Sequence, residues 1–375
     1  MLAIPYTVQG SNAPVTMEFY GINAAQQGFI LTMQSVGALC TAIFIALKGE
    51  KYNKINSIAF GLLIICLAGA VIGGAPPYAA LLVLVAFMGI GVSFIDIMMN
   101  GVISDVYPKQ KNTLLPLVHA FFSVGATMTP IFVTMLANPN APTSFSYPFR
   151  LLGVGAAAVF ILYLLSGRRI VKETPYINME AMKKRAIENP AEIFKTGKAW
   201  YFLVAGMLYF TFLMGTMMWL PTYAMKYVGA DFETGGMMLT AFFAGSLLMR
   251  FLGPLILRRL TARSMYVYFG MAATVLMIAA LFSESIPLML VLVAVSGFLQ
   301  GSTVATFILM CCEAFPERTA SASSIFSISS NIASLTGPLW IGALSEYTGF
   351  RLPMVLINCA FLVSAAMIFI QGRRK

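Results

Sequence analysis

Asp96 is a single carboxylate inside an apolar stretch that runs from Tyr78 to Ser104. At ~20 residues per bilayer crossing, that stretch is long enough to span. A charge at such depth costs at least ~2.5–3.5 kcal/mol, so Asp96 is expected to face a protein interior or a wet cavity, protonated or paired. On a helix, Gly89, Ser93, Asp96, Asn100 and Ser104 fall at spacings of three and four and form one stripe. A carboxylate withdrawn from water holds its proton more tightly, which allows a proton to bind and leave near neutral pH. Ser93 and Asn100 carry groups that can hydrogen-bond either Asp96 or the hydroxyls of a solute. The competing reading is structural: an Asp96 that stays protonated, or one tied into a network between helices.

Other polar residues sit at similar depth. His119 is the only histidine; an imidazole titrates near ~6.5, which suits proton exchange, and it equally suits a hydrogen bond to a neighbouring helix. Gln34 and Gln300 are amides within apolar spans, able to donate to and accept from hydroxyls or to tie helices together. Phe212, Thr216 and Trp219 share a helical face. Trp219 can stack on the C–H face of a sugar ring, or mark the membrane interface where Trp is enriched. Asn331 stands out from Ser324, Ser327 and Ser334, whose small side chains suit close helix contact. Arg250 and Gly49 are assigned to gating or contact between domains rather than to ligand binding.

These residues require helices to hold them. Hydrophobic residues make up 59% of the chain and charged residues 10%, against about 25% charged in soluble domains. The apolar runs are longer than the ~10 alternating residues of a barrel strand. The chain is therefore expected to be an all-α, multi-pass membrane protein. Eleven full spans are read at about 26–47, 55–75, 78–104, 115–136, 150–167, 199–225, 234–257, 264–283, 286–311, 321–344 and 351–371, with a partial first span at 1–12. The N-terminal stretch lacks the basic region and cleavage site of a signal peptide. The five cysteines (Cys40, Cys66, Cys311, Cys312 and Cys359) lie within spans, so neither disulfides nor a metal site is expected. No phosphate-binding loop is present, and no Ser or Cys has triad partners, so neither an enzyme nor a cofactor is expected.

The formal charge of +10 concentrates in alternate loops, the segment 168–198 and the C-terminus. Cytoplasmic loops carry the excess of Lys and Arg. The linker and C-terminus are accordingly expected in the cytoplasm, with the inner membrane as the site of residence and no role for nucleic acid. The basic segment divides the chain into 1–167 and 199–375. Gly28-x-x-Leu31-Thr32-x-x-x-x-Gly37-x-Leu39 returns as Gly236-x-x-Leu239-Thr240-x-x-x-x-Gly245-x-Leu247, at an offset of 208. A parallel duplication about a basic loop is a transporter organisation.

Twelve spans, the repeat, Gly245-Ser-Leu-Leu-Met-Arg250-x-x-Gly253 with Arg258-Arg259, Phe315-Pro316-Glu317-Arg318, and Asn331 through Gly337-Pro338 resemble the major facilitator superfamily. The loop after the second span, Gly49-Glu-Lys51-Tyr-Asn-Lys54, is a degraded form of that family's signature. The run from Gly91 to Asn100, the run from His119 to Ala126, and Trp219-Leu-Pro221-Thr-Tyr223 resemble fucose permease. That resemblance implies two six-helix bundles with a truncated first helix, and sugar:proton symport by a monomer. Fucose permease has a second acid late in its first helix; alignment on Pro14 and Gly28 puts Gly10 there, so coupling would rest on Asp96, with His119. The substrate groups would be Ser93, Asn100, Gln34, Trp219, Gln300 and Asn331. Two rivals stand: a proton-coupled exporter of drug-like compounds, and a transporter-like sensor without turnover.

Overall fold

The computed structural model describes residues 3–48, 52–106, 111–173, 190–315 and 319–373. The N-terminal bundle contains α1 (Ile4–Ser11), α2 (Ala13–Tyr20), α3 (Ala24–Lys48), α4 (Lys54–Ile72), α5 (Tyr78–Val106), α6 (Lys111–Leu136) and α7 (Tyr147–Glu173). The C-terminal bundle contains α8 (Gly197–Tyr227), α9 (Phe232–Ile256), α10 (Ala262–Leu281), α11 (Ile286–Gln300), α12 (Thr303–Ala314), α13 (Thr319–Thr348) and α14 (Arg351–Arg373). Each bundle contains six rods, because α1 with α2, and α11 with α12, run on across a mild break. Among the described residues, nine rods are long and apolar enough to cross a membrane. Of the other three, α13 owes its lower hydropathy to its serines.

The first rod corrects the expected partial span at 1–12. The helix resumes at Ala13 and runs to Tyr20. Ser11 and Asn12 hide this continuation because they interrupt the apolar pattern. Asn12 nevertheless keeps right-handed helical angles (φ −92°, ψ −1°), and Pro14 follows in the first turn of α2, where a missing N–H costs nothing. The Asn12 amide donates to the Phe145 carbonyl at 2.7 Å, holding the break against the loop before α7.

The repeat in the sequence is a repeat of contacts. A Cβ on Gly37 would overlap the Ala86 carbonyl oxygen, and one on Gly89 would overlap that of Gln34, so α3 and α5 touch backbone to backbone. At the same offset of 208, Gly245 meets the Ala294 carbonyl and Gly297 that of Phe242. Small residues give helices this approach where lipid supplies no hydrophobic drive.

The two bundles meet in a second repeated set. Gly28 of α3 lies against the Pro338 carbonyl of α13, and Gly236 of α9 against the Pro130 carbonyl of α6. Thr32 donates to the Leu335 carbonyl at 2.9 Å, and Thr240 to that of Thr127 at 3.3 Å. Between these strips, Gly10 of α1 lies directly on the backbone of Met217 and Met218 in α8. All these contacts lie toward the helix ends remote from the basic loops. One charged group joins this seal: the Ala24 N–H, in the first turn of α3, donates to Glu346 Oε1 at 2.6 Å. An anion at a helix N-terminus is stabilised by the helix dipole.

Two outcomes test this architecture. Gly89→Val and Gly297→Val each force a helix pair apart, at about 1–3 kcal/mol as overpacking. Each should lower the thermal unfolding midpoint of the purified protein by several degrees; unchanged midpoints would mean that the pairs do not touch there. Glu346→Ala should increase labelling of a cysteine placed at Thr134 by an impermeant maleimide, in a background lacking Cys40 and Cys359. Labelling equal to that of the parent would remove Glu346 from the seal.

Candidate functional site

The stripe on α5 faces α3 and the first rod. Gly89 fixes its direction by touching the backbone of Gln34, and Ser93, Asp96 and Asn100 follow along the same face toward the basic-loop end. Ser93 is buried, while Asp96 and Asn100 are half-buried. Asp96 lies about ten residues, or roughly 15 Å at 1.5 Å per residue, from the Val106 end. Asn100 donates to Asp96 Oδ1 at 3.4 Å, a long contact one helical turn away. Beyond Asn100, the Lys54 side chain lies alongside Gly101.

Gln34 is fully enclosed (0% exposed) and accepts a hydrogen bond from the amide of Gln9 in α1, itself 2% exposed. The bond uses half of each amide. Gln9 Oε1 and Gln34 Nε2 find no hydrogen-bond partner. Leaving a buried polar atom unmatched costs about 1–3 kcal/mol. Tyr6, one turn before Gln9, brings its hydroxyl close to the Gln34 amide and within electrostatic reach of Asp96. The cluster is therefore Tyr6 and Gln9 from α1, Gln34 from α3, and Ser93, Asp96 and Asn100 from α5.

Sequence reasoning missed Tyr6 and Gln9 because they fall in the stretch read as a partial span. Their spacing of three places them on one helical face, a signal visible in Tyr6-Thr-Val-Gln9 once that stretch is read as helix. Gly10 also explains the missing first-helix acid: a side chain there collides with the Met217 carbonyl, so a carboxylate at that position would part α1 from α8.

The remaining expected residues lie elsewhere. Trp219 is 0% exposed; its indole N–H donates to the Pro338 carbonyl at 3.3 Å, and its ring lies 5.1 Å from that of Phe350. With its faces covered it joins α8 to α13 and offers no surface for a sugar ring in this conformation. Phe212 is likewise stacked on Phe361. Gln300 is 3% exposed and neither amide atom has a hydrogen-bond partner. Its helical neighbours Ser296 and Gly297 meet α10 and α9, which turns Gln300 into the C-terminal bundle. Asn331 is half-buried on the α13 face that meets α3, beyond the Thr32–Leu335 bond and in register with Ser35. Arg250 is half-buried toward the basic-loop end of α9 and in the field of buried Tyr209. Gly49 and the side chains of His119, Ser104 and Ser324 lie outside the described residues.

The repeat offset sharpens the contrast between bundles. The positions equivalent to Tyr6, Gln9, Gln34 and Asp96 hold Met214, Met217, Phe242 and Val304. At these four positions the polar groups of the N-terminal bundle have apolar counterparts in the C-terminal one.

Comparisons with known proteins agree on the architecture. The chain is 24% identical over 363 residues to an uncharacterized MFS-type transporter, YfkL, of Bacillus subtilis, covering 95% of this chain and 87% of that protein. It is 22% identical over 329 residues to the inner membrane transport protein YdiM of Escherichia coli, covering 86% and 79%. Among solved structures, a bacterial homologue of the human lysosomal transporter Spinster, inward-facing and unoccupied, superposes with a TM-score of 0.76 at 16% identity, covering 99% of this chain and 95% of that one. A D-xylose-proton symporter superposes with a TM-score of 0.75 at 11% identity, covering 98% and 95%. The Major Facilitator Superfamily sequence pattern matches residues 1–268 and 224–375. By that match over both halves, this multi-pass membrane protein belongs to the Major Facilitator Superfamily.

Proposed function

We propose that this transporter moves a small neutral, hydroxyl-rich solute, a sugar, together with a proton by alternating access, in the manner of fucose-permease-like symporters. The observation that carries the reading is the cluster on the N-terminal bundle: a half-buried carboxylate, Asp96, beside amides and hydroxyls from Gln9, Gln34, Asn100, Ser93 and Tyr6. Amides and hydroxyls match a neutral polyol because they both donate and accept. Asp96 is the acid that can take up and release the coupling proton, and its position within a membrane-spanning helix favours a functional role. The similarity in fold to a D-xylose-proton symporter is compatible with this chemistry.

The direction follows from charge. With the basic loops in the cytoplasm, the sealed ends of the helices face outward, and the described state is closed outside. Asp96 lies on the cytoplasmic side of that seal, where proton and solute would leave. Neutralising Asp96 on loading removes a charge from the membrane interior and lowers the cost of the crossing state. His119 is assigned as an accessory in proton exchange, and Arg250 and Gly49 to the cytoplasmic gate. The proposed unit is residues 1–167 and 199–375 working as two halves of a monomer around the cytoplasmic linker.

Proteoliposomes with an acid exterior, supplied in turn with D-xylose, D-galactose, L-fucose and D-mannitol, test the reading. At least one sugar should accumulate and alkalinise the exterior. Asp96→Asn should reduce accumulation at least tenfold while leaving sugar exchange at equal pH. Concentrative uptake unchanged in Asp96→Asn would make the residue structural, and silence toward every sugar would sink the solute class.

A further inference from the structure

We infer that Gln9 and Gln34 form one composite receptor for a hydroxyl of the transported solute; this rests on the neutral-polyol reading above. Each primary amide carries an acceptor oxygen and a two-proton donor nitrogen. Their mutual bond consumes the Gln9 nitrogen and the Gln34 oxygen. What remains is Gln9 Oε1, an acceptor, and Gln34 Nε2, a donor with the Tyr6 hydroxyl as its polar neighbour; both are enclosed and neither makes a hydrogen bond of ordinary geometry. Rotating both amides by half a turn exchanges the atoms and leaves the same pair: one acceptor, one donor. A hydroxyl satisfies both at once, donating its proton to one amide and accepting from the other. A cation satisfies only the acceptor and an anion only the donor, so the pair selects for neutral hydroxyls.

The placement supports a ligand rather than a tie between helices. A tie would be served equally if each glutamine were exchanged for an apolar residue, since Val8 of α1 and Ile30 of α3 already belong to one buried apolar cluster. At the repeat-related positions the protein has made that exchange: Met217 and Phe242 stand where Gln9 and Gln34 stand. The same fold thus holds together there without the amides. Tyr6 lies one turn from Gln9, close to Gln34 and in the field of Asp96, so a hydroxyl held by the amides is held beside the carboxylate that carries the proton. The receptor is carried on α1, a short segment that meets α2 at Asn12. Access to it therefore depends on the segment that also seals against α8 through Gly10.

The test uses the full-length purified protein and the double variant Gln9→Leu/Gln34→Leu. Thermal midpoints are measured in detergent with and without D-xylose, D-galactose, L-fucose or D-mannitol, and counterflow uptake of the same sugars is measured in proteoliposomes. The expected result has three parts. At least one sugar raises the wild-type midpoint by 2 °C or more. The double variant without sugar melts at or above the wild type, because two unmatched polar atoms are gone. Its sugar-dependent shift disappears, and its half-saturating concentration rises at least tenfold. A double variant that keeps the shift and the uptake overturns the receptor while leaving the sugar reading intact. One that melts several degrees lower, with sugar affinity preserved, assigns the amides to structure and overturns it likewise. A wild type that responds to none of the four sugars overturns the solute class and the receptor with it.

Discussion

Backbone contact without intervening side chains governs this molecule. In the membrane interior, helices satisfy their own hydrogen bonds, and their association rests on close approach. Gly37 and Gly89 bring α3 onto α5, and Gly245 and Gly297 bring α9 onto α11. From the first of these contacts the candidate site takes its geometry. Gly89 touches the Gln34 carbonyl, so the face of α5 that carries Ser93, Asp96 and Asn100 is directed toward the amide pair.

The site and the seal between bundles share one element. Gly10 lies on the backbone of Met217, and the neighbouring Gln9 reaches Gln34. The residue that seals α1 against α8 is thus the direct neighbour of one half of the amide pair. One short helix therefore carries both a seal contact and a site residue.

Much of this was legible in the sequence, for physical reasons. Apolar runs must exceed a bilayer's thickness, so most spans are visible by length. The glycine pattern from Gly28 to Leu39 and its copy are visible because close approach tolerates little else. Asp96 is conspicuous because its surroundings are apolar. The first rod was less legible, since Thr7, Gln9, Ser11 and Asn12 lower its hydropathy, and the contacts of Gln9 and Asn12 with Gln34 and Phe145 exist only in the folded bundle. Trp219 and Gln300 mislead in the opposite way. A polar or aromatic residue in a span signals that it faces protein, and sequence alone does not say whether that protein is the bundle interior or the space between bundles.

The contacts between bundles have a further consequence. Gly28 with Pro338 and Gly236 with Pro130 are the same pair taken in the two possible orders, as are Thr32 with Leu335 and Thr240 with Thr127. This is an isologous surface, the kind a two-fold dimer of one six-helix unit would present to itself. In such a dimer every substitution acts twice; in the fused chain each copy drifts alone. The drift is visible at one edge. Glu346 reaches Ala24, whereas the equivalent Asn138 and Phe232 border an open hollow of about 510 Å³ beside Asp231 and Glu233. The same register position is a charged clasp in one half and the border of an open hollow in the other.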